Sequence, residues 1–218
     1  RDVTTTPAGV FIATDEDVYV ESSESGHFEA TDFGPAVAVG YDGEVHVCGQ
    51  DGTIARLEDG NYQTIGQIED VRVIEGRWVG ADGGIYRLSE DGLEYRGLSD
   101  VRDIADGEWP LAATSDGVYR YENSGWECEL SGNFSTVATG QTETHAFGSD
   151  GLFEYKTTWS NRTLPIDEDI VDIGYARGII AITTAGTVMV DPEQAKDGAK
   201  GWRTRSLGLD GVTGFAID

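Results

Sequence analysis

Lysine is nearly missing from this chain of 218 residues: there are three, at Lys156, Lys196 and Lys200, within a total of 15 basic residues set against 40 acidic ones. A net charge of −25 repels nucleic acid and anionic membranes, so neither is an expected partner. Cysteine is almost as scarce. Cys48 and Cys128 fall in distant parts of the repeat described below, which argues against a disulfide between them and for two buried thiols. That usage favours a cytoplasmic setting. No apolar run approaches the ~20 residues of a membrane-spanning helix. Also lacking are a helical period, a metal-ligand spacing among His27, His46 and His145, a nucleophile elbow and a phosphate loop. No cofactor is implied, and the sequence points away from an enzyme.

What is present is a repeat. The stretch from Val101 to Leu130 breaks at Gly107, Gly117 and Gly125 into four short runs of β character joined by tight turns. The first of these turn glycines recurs as Gly9, Gly43, Gly76, Gly107, Gly140 and Gly178, at spacings of 34, 33, 31, 33 and 38 residues. A third-turn landmark follows in phase at Gly26, Gly60, Gly92, Gly125 and Gly201, with Asn161 in the fifth copy. Inner strands such as Val10 to Ala13 and Leu111 to Ala113 are continuously apolar or small, as strands covered on both faces are. One four-stranded sheet cannot bury two apolar faces alone, so the copies must pack side by side around an axis.

The expected fold is therefore all-β: a β-propeller of six four-stranded repeats, at about 2–34, 35–69, 70–99, 100–133, 134–169 and 170–211, filling the chain as one domain. An extra C-terminal strand follows at 212–218. It leaves two readings, a six-bladed ring or a seven-bladed one whose first blade is incomplete, and the start at Arg1 without Met favours the second. The sixth copy carries the one irregularity, a polar run from Asp191 to Gly201 expected to be an exposed hairpin extension.

Four sets of residues suggest chemistry. Arg72 and Arg102 stand at equivalent places on the innermost strand of adjacent copies, where two guanidinium groups could clamp an anion, with Asp103 and Asp172 near enough to neutralise them. Trp78 and Trp109, read as equivalent positions at the start of the next strand, make the same sector the most ligand-like, with a shallow pocket expected between copies three and four. The second-turn acids Asp15, Asp51, Asp82, Asp116 and Asp150 recur at one level and are weak candidates for a hard cation, although Asp before Gly is ordinary turn chemistry. Acids spread through every copy, with almost no lysine, suit a halophile's concentrated salt, where charge is screened over roughly 3 Å at 1 M.

The run SDGVYRYENSGWECEL, Ser115 to Leu130, resembles the repeat of Asp-box or BNR-type propellers, and GIYRLSEDGLEY and TIARLEDGNY follow it loosely. The whole is similar to haloarchaeal propeller proteins, a likeness that carries no activity with it. Sialidases of the Asp-box architecture use three arginines and a tyrosine nucleophile with an acidic partner; Arg72 and Arg102 match two of the arginines by position, and no tyrosine or glutamate is matched. The resulting expectation is a non-enzymatic binding or scaffolding propeller for a protein or small-ligand partner. The alternative is a glycan-binding or glycan-processing propeller using the Arg72 and Arg102 sector.

Overall fold

The computed structural model describes residues 2–21, 26–90, 92–140, 143–165, 168–175, 178–192 and 202–208. Six four-stranded antiparallel sheets follow one another along the chain, each with its strands in sequence order, here called a to d. They are the blades of a six-bladed propeller, the first of the two readings that the repeat left open. The a strands are Asp2–Thr6, Ala36–Tyr41, Val71–Glu75, Val101–Ala105, Phe134–Thr139 and Ile170–Tyr175, and together they line one axial cavity. Residues of the polar run beyond Pro192, and the stretch 212–218, lie outside the described residues.

Apolar side chains fill the junction between each pair of consecutive blades. Ala38, Cys48, Ile54, Ile74 and Val79 close the junction of blades 2 and 3. Trp78, Ile85, Val101, Ile104 and Ala112 close that of blades 3 and 4. Burial of one such leucine, isoleucine or valine contributes about 1.5 to 3 kcal/mol, so each junction is held chiefly by area removed from water.

Two departures from regular pleating decide where functional side chains point. In blades 2 to 6 strand a carries one extra residue near its start, opposite the end of strand b, and the extra residues are Val37, Arg72, Arg102, Ser135 and Val171. A bulge re-aims the side chain it inserts and increases local twist. A second bulge falls between strands c and d in blades 2, 3 and 4. In blade 4 it pairs Val118 with Leu130 but Tyr119 with Cys128, leaving Glu129 as the extra residue. The alternation of Trp126, Cys128 and Leu130 is broken there, and Cys128 is exposed while Cys48 is buried; both are free thiols. The expectation of two buried thiols is thus corrected for Cys128, because a slip of one residue turns a strand's side chains to the other face.

A glycine is required where neighbouring segments approach closely. At Gly148 an added Cβ would overlap the Asn133 carbonyl oxygen of the same blade. At Gly140 it would overlap the Tyr175 ring of the next blade.

Candidate functional site

The bulges bring Arg72 and Arg102 to one mouth of the axial cavity, where a space of roughly 520 Å³ is lined by both arginines with Asp103, Ser135, Thr136 and Asp172. Neither guanidinium takes the acid expected for it. Arg72 makes a bidentate pair with the second-turn Asp82, donating from Nε at 2.6 Å and from Nη2 at 3.0 Å. Arg102 donates to Asn133 Oδ1 at 2.5 Å and lies 3.8 Å from Asp100. The physical reason is the bulge: it turns these side chains out along the mouth, while the next residue, Asp103, turns inward.

That inward position forms a ring of its own. Aligned on the bulges it reads Ala38, Val73, Asp103, Thr136 and Asp172 in blades 2 to 6, and Asp2 takes the same role in blade 1. Asp2 accepts from its neighbour Val3 N–H at 2.9 Å and from Val39 N–H of the next blade at 3.0 Å. Asp103 repeats this with Ile104 N–H at 2.9 Å and Val137 N–H at 2.8 Å. The Thr136 hydroxyl lies 2.7 Å from Asp103 Oδ2 and 3.1 Å from Asp172 Oδ1. Each of these acids therefore satisfies backbone donors at the start of a strand, and Asp2 and Asp103 also bind one blade to the next.

The cavity raises the proton affinity of its acids. Burial and the Asp172 charge push Asp103 up to about 8, against the hydrogen bonds from Thr136, Val137 and Ile104. Burial raises Asp2 to about 6, and burial with the charges of Asp2, Asp106 and Asp172 raises Glu75 to about 7. Glu75 and Asp103 keep some surface in contact with the channel even though protein surrounds them, so channel water moderates these shifts.

The two tryptophans do not meet. Trp78 is buried between blades 3 and 4, with Tyr121 and Trp126 at ring centroid distances of 5.0 and 5.8 Å and the Arg87 guanidinium 6.0 Å above it. The residue at its repeat position in blade 4 is Leu111, since Trp78 pairs with Arg87 as Leu111 pairs with Arg120. Trp109 stands instead in the turn before Leu111 and is 46% exposed. The pocket expected between blades 3 and 4 is thus a filled junction at Trp78.

Trp109 borders a different pocket, of roughly 380 Å³, between blades 4 and 5. Blade 5 consists of Phe134–Thr139, Thr144–Gly148, Gly151–Tyr155 and Trp159–Arg162. Tyr155 and Trp159 line the pocket, their rings 5.4 Å apart. Four of the charged groups on its wall pair with one another: Arg120 lies 2.9 Å from Glu129, and Lys156 lies 2.5 Å from Glu143.

The second-turn acids serve their own turns or neighbours. Asp51 accepts from Thr53 N–H at 3.0 Å, and Asp116 from the Thr114 hydroxyl at 2.7 Å and the Tyr119 hydroxyl at 3.1 Å. Asp15 accepts from Gln50 Nε2 at 3.2 Å and Asp82 holds Arg72, while Asp150 lies at the b to c turn of blade 5. Among the described residues the ligand-type side chains that converge are others, Glu143, His145 and Glu154, with their nearest ligand atoms all within 4.8 Å of one another.

A family model described as an HVO_0234-like beta propeller matches residues 1–218. No curated protein matches. Among solved structures the chain is similar to PorZ, an essential bacterial surface component of the type-IX secretion system of Porphyromonas gingivalis, at 12% identity and a TM-score of 0.72. That alignment covers 98% of this chain but 33% of PorZ, so the chain spans about a third of that protein's length. It is also similar to YCF48 bound to D1 peptide, at 14% identity and a TM-score of 0.70, covering 93% of this chain and 80% of the other. YCF48 from Cyanidioschyzon merolae gives 15% identity and a TM-score of 0.66, covering 97% and 86%. At such identities these likenesses are ones of fold.

Proposed function

The chain belongs to the HVO_0234-like beta-propeller family, and from that premise we propose that it is a non-enzymatic binding module that receives a peptide segment of a partner protein between blades 4 and 5. The observation that carries this reading is Trp109, a large aromatic side chain left 46% exposed beside a pocket that also holds Tyr155 and Trp159. Amphipathic aromatic side chains at the edge of a concavity are the commonest anchors of a protein interface. The paired charges around them, Arg120 with Glu129 and Lys156 with Glu143, suit a polar rim. A peptide-bound structure of the similar YCF48 propeller supports the choice of ligand class.

A surface of net charge −25 favours segments carrying Lys or Arg around an apolar anchor. The same acidity belongs to a protein of concentrated salt, and the Asp-box-like run Ser115 to Leu130 is read as a relic of the repeat and not as a catalytic element. The test is selection of displayed random peptides on the protein in molar potassium chloride. Peptides enriched on the wild type should bind Trp109→Ala at least tenfold more weakly, a loss of about 1.4 kcal/mol or more. Enriched peptides that bind the variant equally would place recognition elsewhere.

The second reading rests on the mouth of the axial cavity, where Arg72 and Arg102 border roughly 520 Å³ with Asp103 and Asp172. Glycan binding there should be abolished in the Arg72→Ala, Arg102→Ala double variant, and both arginines must first leave Asp82 and Asn133. That prior engagement makes the pocket beside Trp109 the better site.

A further inference from the structure

We propose that Glu143, His145 and Glu154 of blade 5 bind one divalent transition-metal ion of the zinc class. His145 lies on strand b and is fully buried, and neither ring nitrogen has a hydrogen-bond partner. Its Nε2 faces two carboxylates, Glu154 Oε1 at 3.5 Å and Glu143 Oε2 at 3.9 Å. Those separations are too long for N–H···O hydrogen bonds. They are near the spacing of ligand atoms around a tetrahedral zinc ion, which for bonds of about 2.0 to 2.2 Å is roughly 3.3 to 3.6 Å.

The repeat supplies an internal comparison. Residue for residue, His46 of blade 2 stands where His145 does, each two residues after a glutamate, Glu44 or Glu143. Across the strand pair His46 faces Arg56, and the same place holds Arg87 in blade 3 and Arg120 in blade 4. In blade 5 it holds Glu154. A cation position has become a carboxylate, and the histidine has two acids before it.

Local charge agrees with this. Three carboxylates, on Glu143, Glu154 and Asp191, are gathered about two cations, Lys156 and Arg162, by contacts that include Arg162 to Asp191. Lys156 holds Glu143 through Oε1, leaving Oε2 toward His145, and its side chain is 57% exposed, free to swing into water as an ion enters. An imidazole with two carboxylates suits zinc better than calcium or magnesium, which prefer oxygen alone.

The experiment is calorimetric titration of chelator-treated protein with zinc ion in molar sodium chloride, without peptide, beside Glu143→Gln, His145→Gln and Lys156→Met. One saturable equivalent is expected in the wild type, at least tenfold weaker in Glu143→Gln and His145→Gln and at least as tight in Lys156→Met. Zinc should raise the melting temperature of the wild type and leave Glu143→Gln unmoved. Should His145→Gln fail to fold, the partly exposed Glu143 still decides the matter. Absence of a saturable equivalent, or equal affinity in Glu143→Gln, would overturn the proposal, whatever the outcome with peptides.

Discussion

Replacing Asp103 by Asn should change how stability responds to pH. Asp103 titrates at about 8 in the folded chain against an ordinary 3.8, chiefly through burial and secondarily through Asp172. Between those values the native state holds a proton that the unfolded state has released. Stability therefore falls as pH rises, by at most about 1.4 kcal/mol per pH unit for one group. From pH 5.5 to 7.5 that limit is about 2.7 kcal/mol; with water in the channel we expect about 1 to 2.5 kcal/mol. For a chain of this size the loss is roughly 3 to 10 °C in melting temperature. Asp2, at about 6, and Glu75, at about 7, act in the same direction. The assay is thermal unfolding in molar salt at half-unit steps from pH 5.5, above the sequence pI of about 4.2. Asp103→Asn, whose NH2 cannot accept the backbone N–H that one carboxyl oxygen now takes from Ile104 or Val137, should be destabilised by a roughly pH-independent amount and should show a flatter profile. His145, lowered to about 4, and His46, also lowered by burial, act in the opposite direction up to about pH 7, so the readout is the difference between wild type and variant, and a variant with an unchanged slope would refute the reasoning.

Three further outcomes are expected. Melting temperature should fall as potassium chloride is lowered from 1 M to 10 mM, where screening length grows from roughly 3 to 30 Å and 40 acidic residues repel one another; a constant melting temperature would count against a halophilic surface. A thiol reagent should label Cys128 in the native protein and Cys48 only on unfolding, because Cys48 is buried and its thiol is pushed up to about 12. Gly148→Ala should destabilise by about 1 to 3 kcal/mol, since its Cβ overlaps the backbone at Asn133; urea unfolding with an unchanged midpoint would show that the strands part at little cost.

The propeller was legible because turns and inner strands are local signals. Gly9, Gly43 and Gly178 hold positive φ where strand a turns into b, and Ala112, Ala113 and Ala146 are wholly buried. The sites were less legible because they depend on register. A period-two reading cannot see the bulges at Arg72 and Arg102, so it aimed those arginines at Asp103 and Asp172 instead of Asp82 and Asn133. Trp78 and Trp109 looked equivalent because the a to b turn of blade 3 is Gly76 and Arg77 alone, whereas that of blade 4 runs through Asp106 to Pro110 and carries Trp109 outward. The Glu143, His145 and Glu154 group was hidden for the same reason. Its signal in the sequence is that Glu154 replaces the arginine of Arg56, Arg87 and Arg120, which emerges only when strand c is aligned residue by residue.

The reading of the pocket between blades 4 and 5 is tested most directly by amide and indole NMR of the protein titrated with a selected peptide. Five tryptophans give five indole N–H signals. Those of Trp109 and Trp159 should move while those of Trp78 and Trp126, packed between blades 3 and 4, stay in place. Movement at the guanidinium signals of Arg72 and Arg102 with Trp109 unmoved would contradict it and put the binding surface at the mouth of the axial cavity.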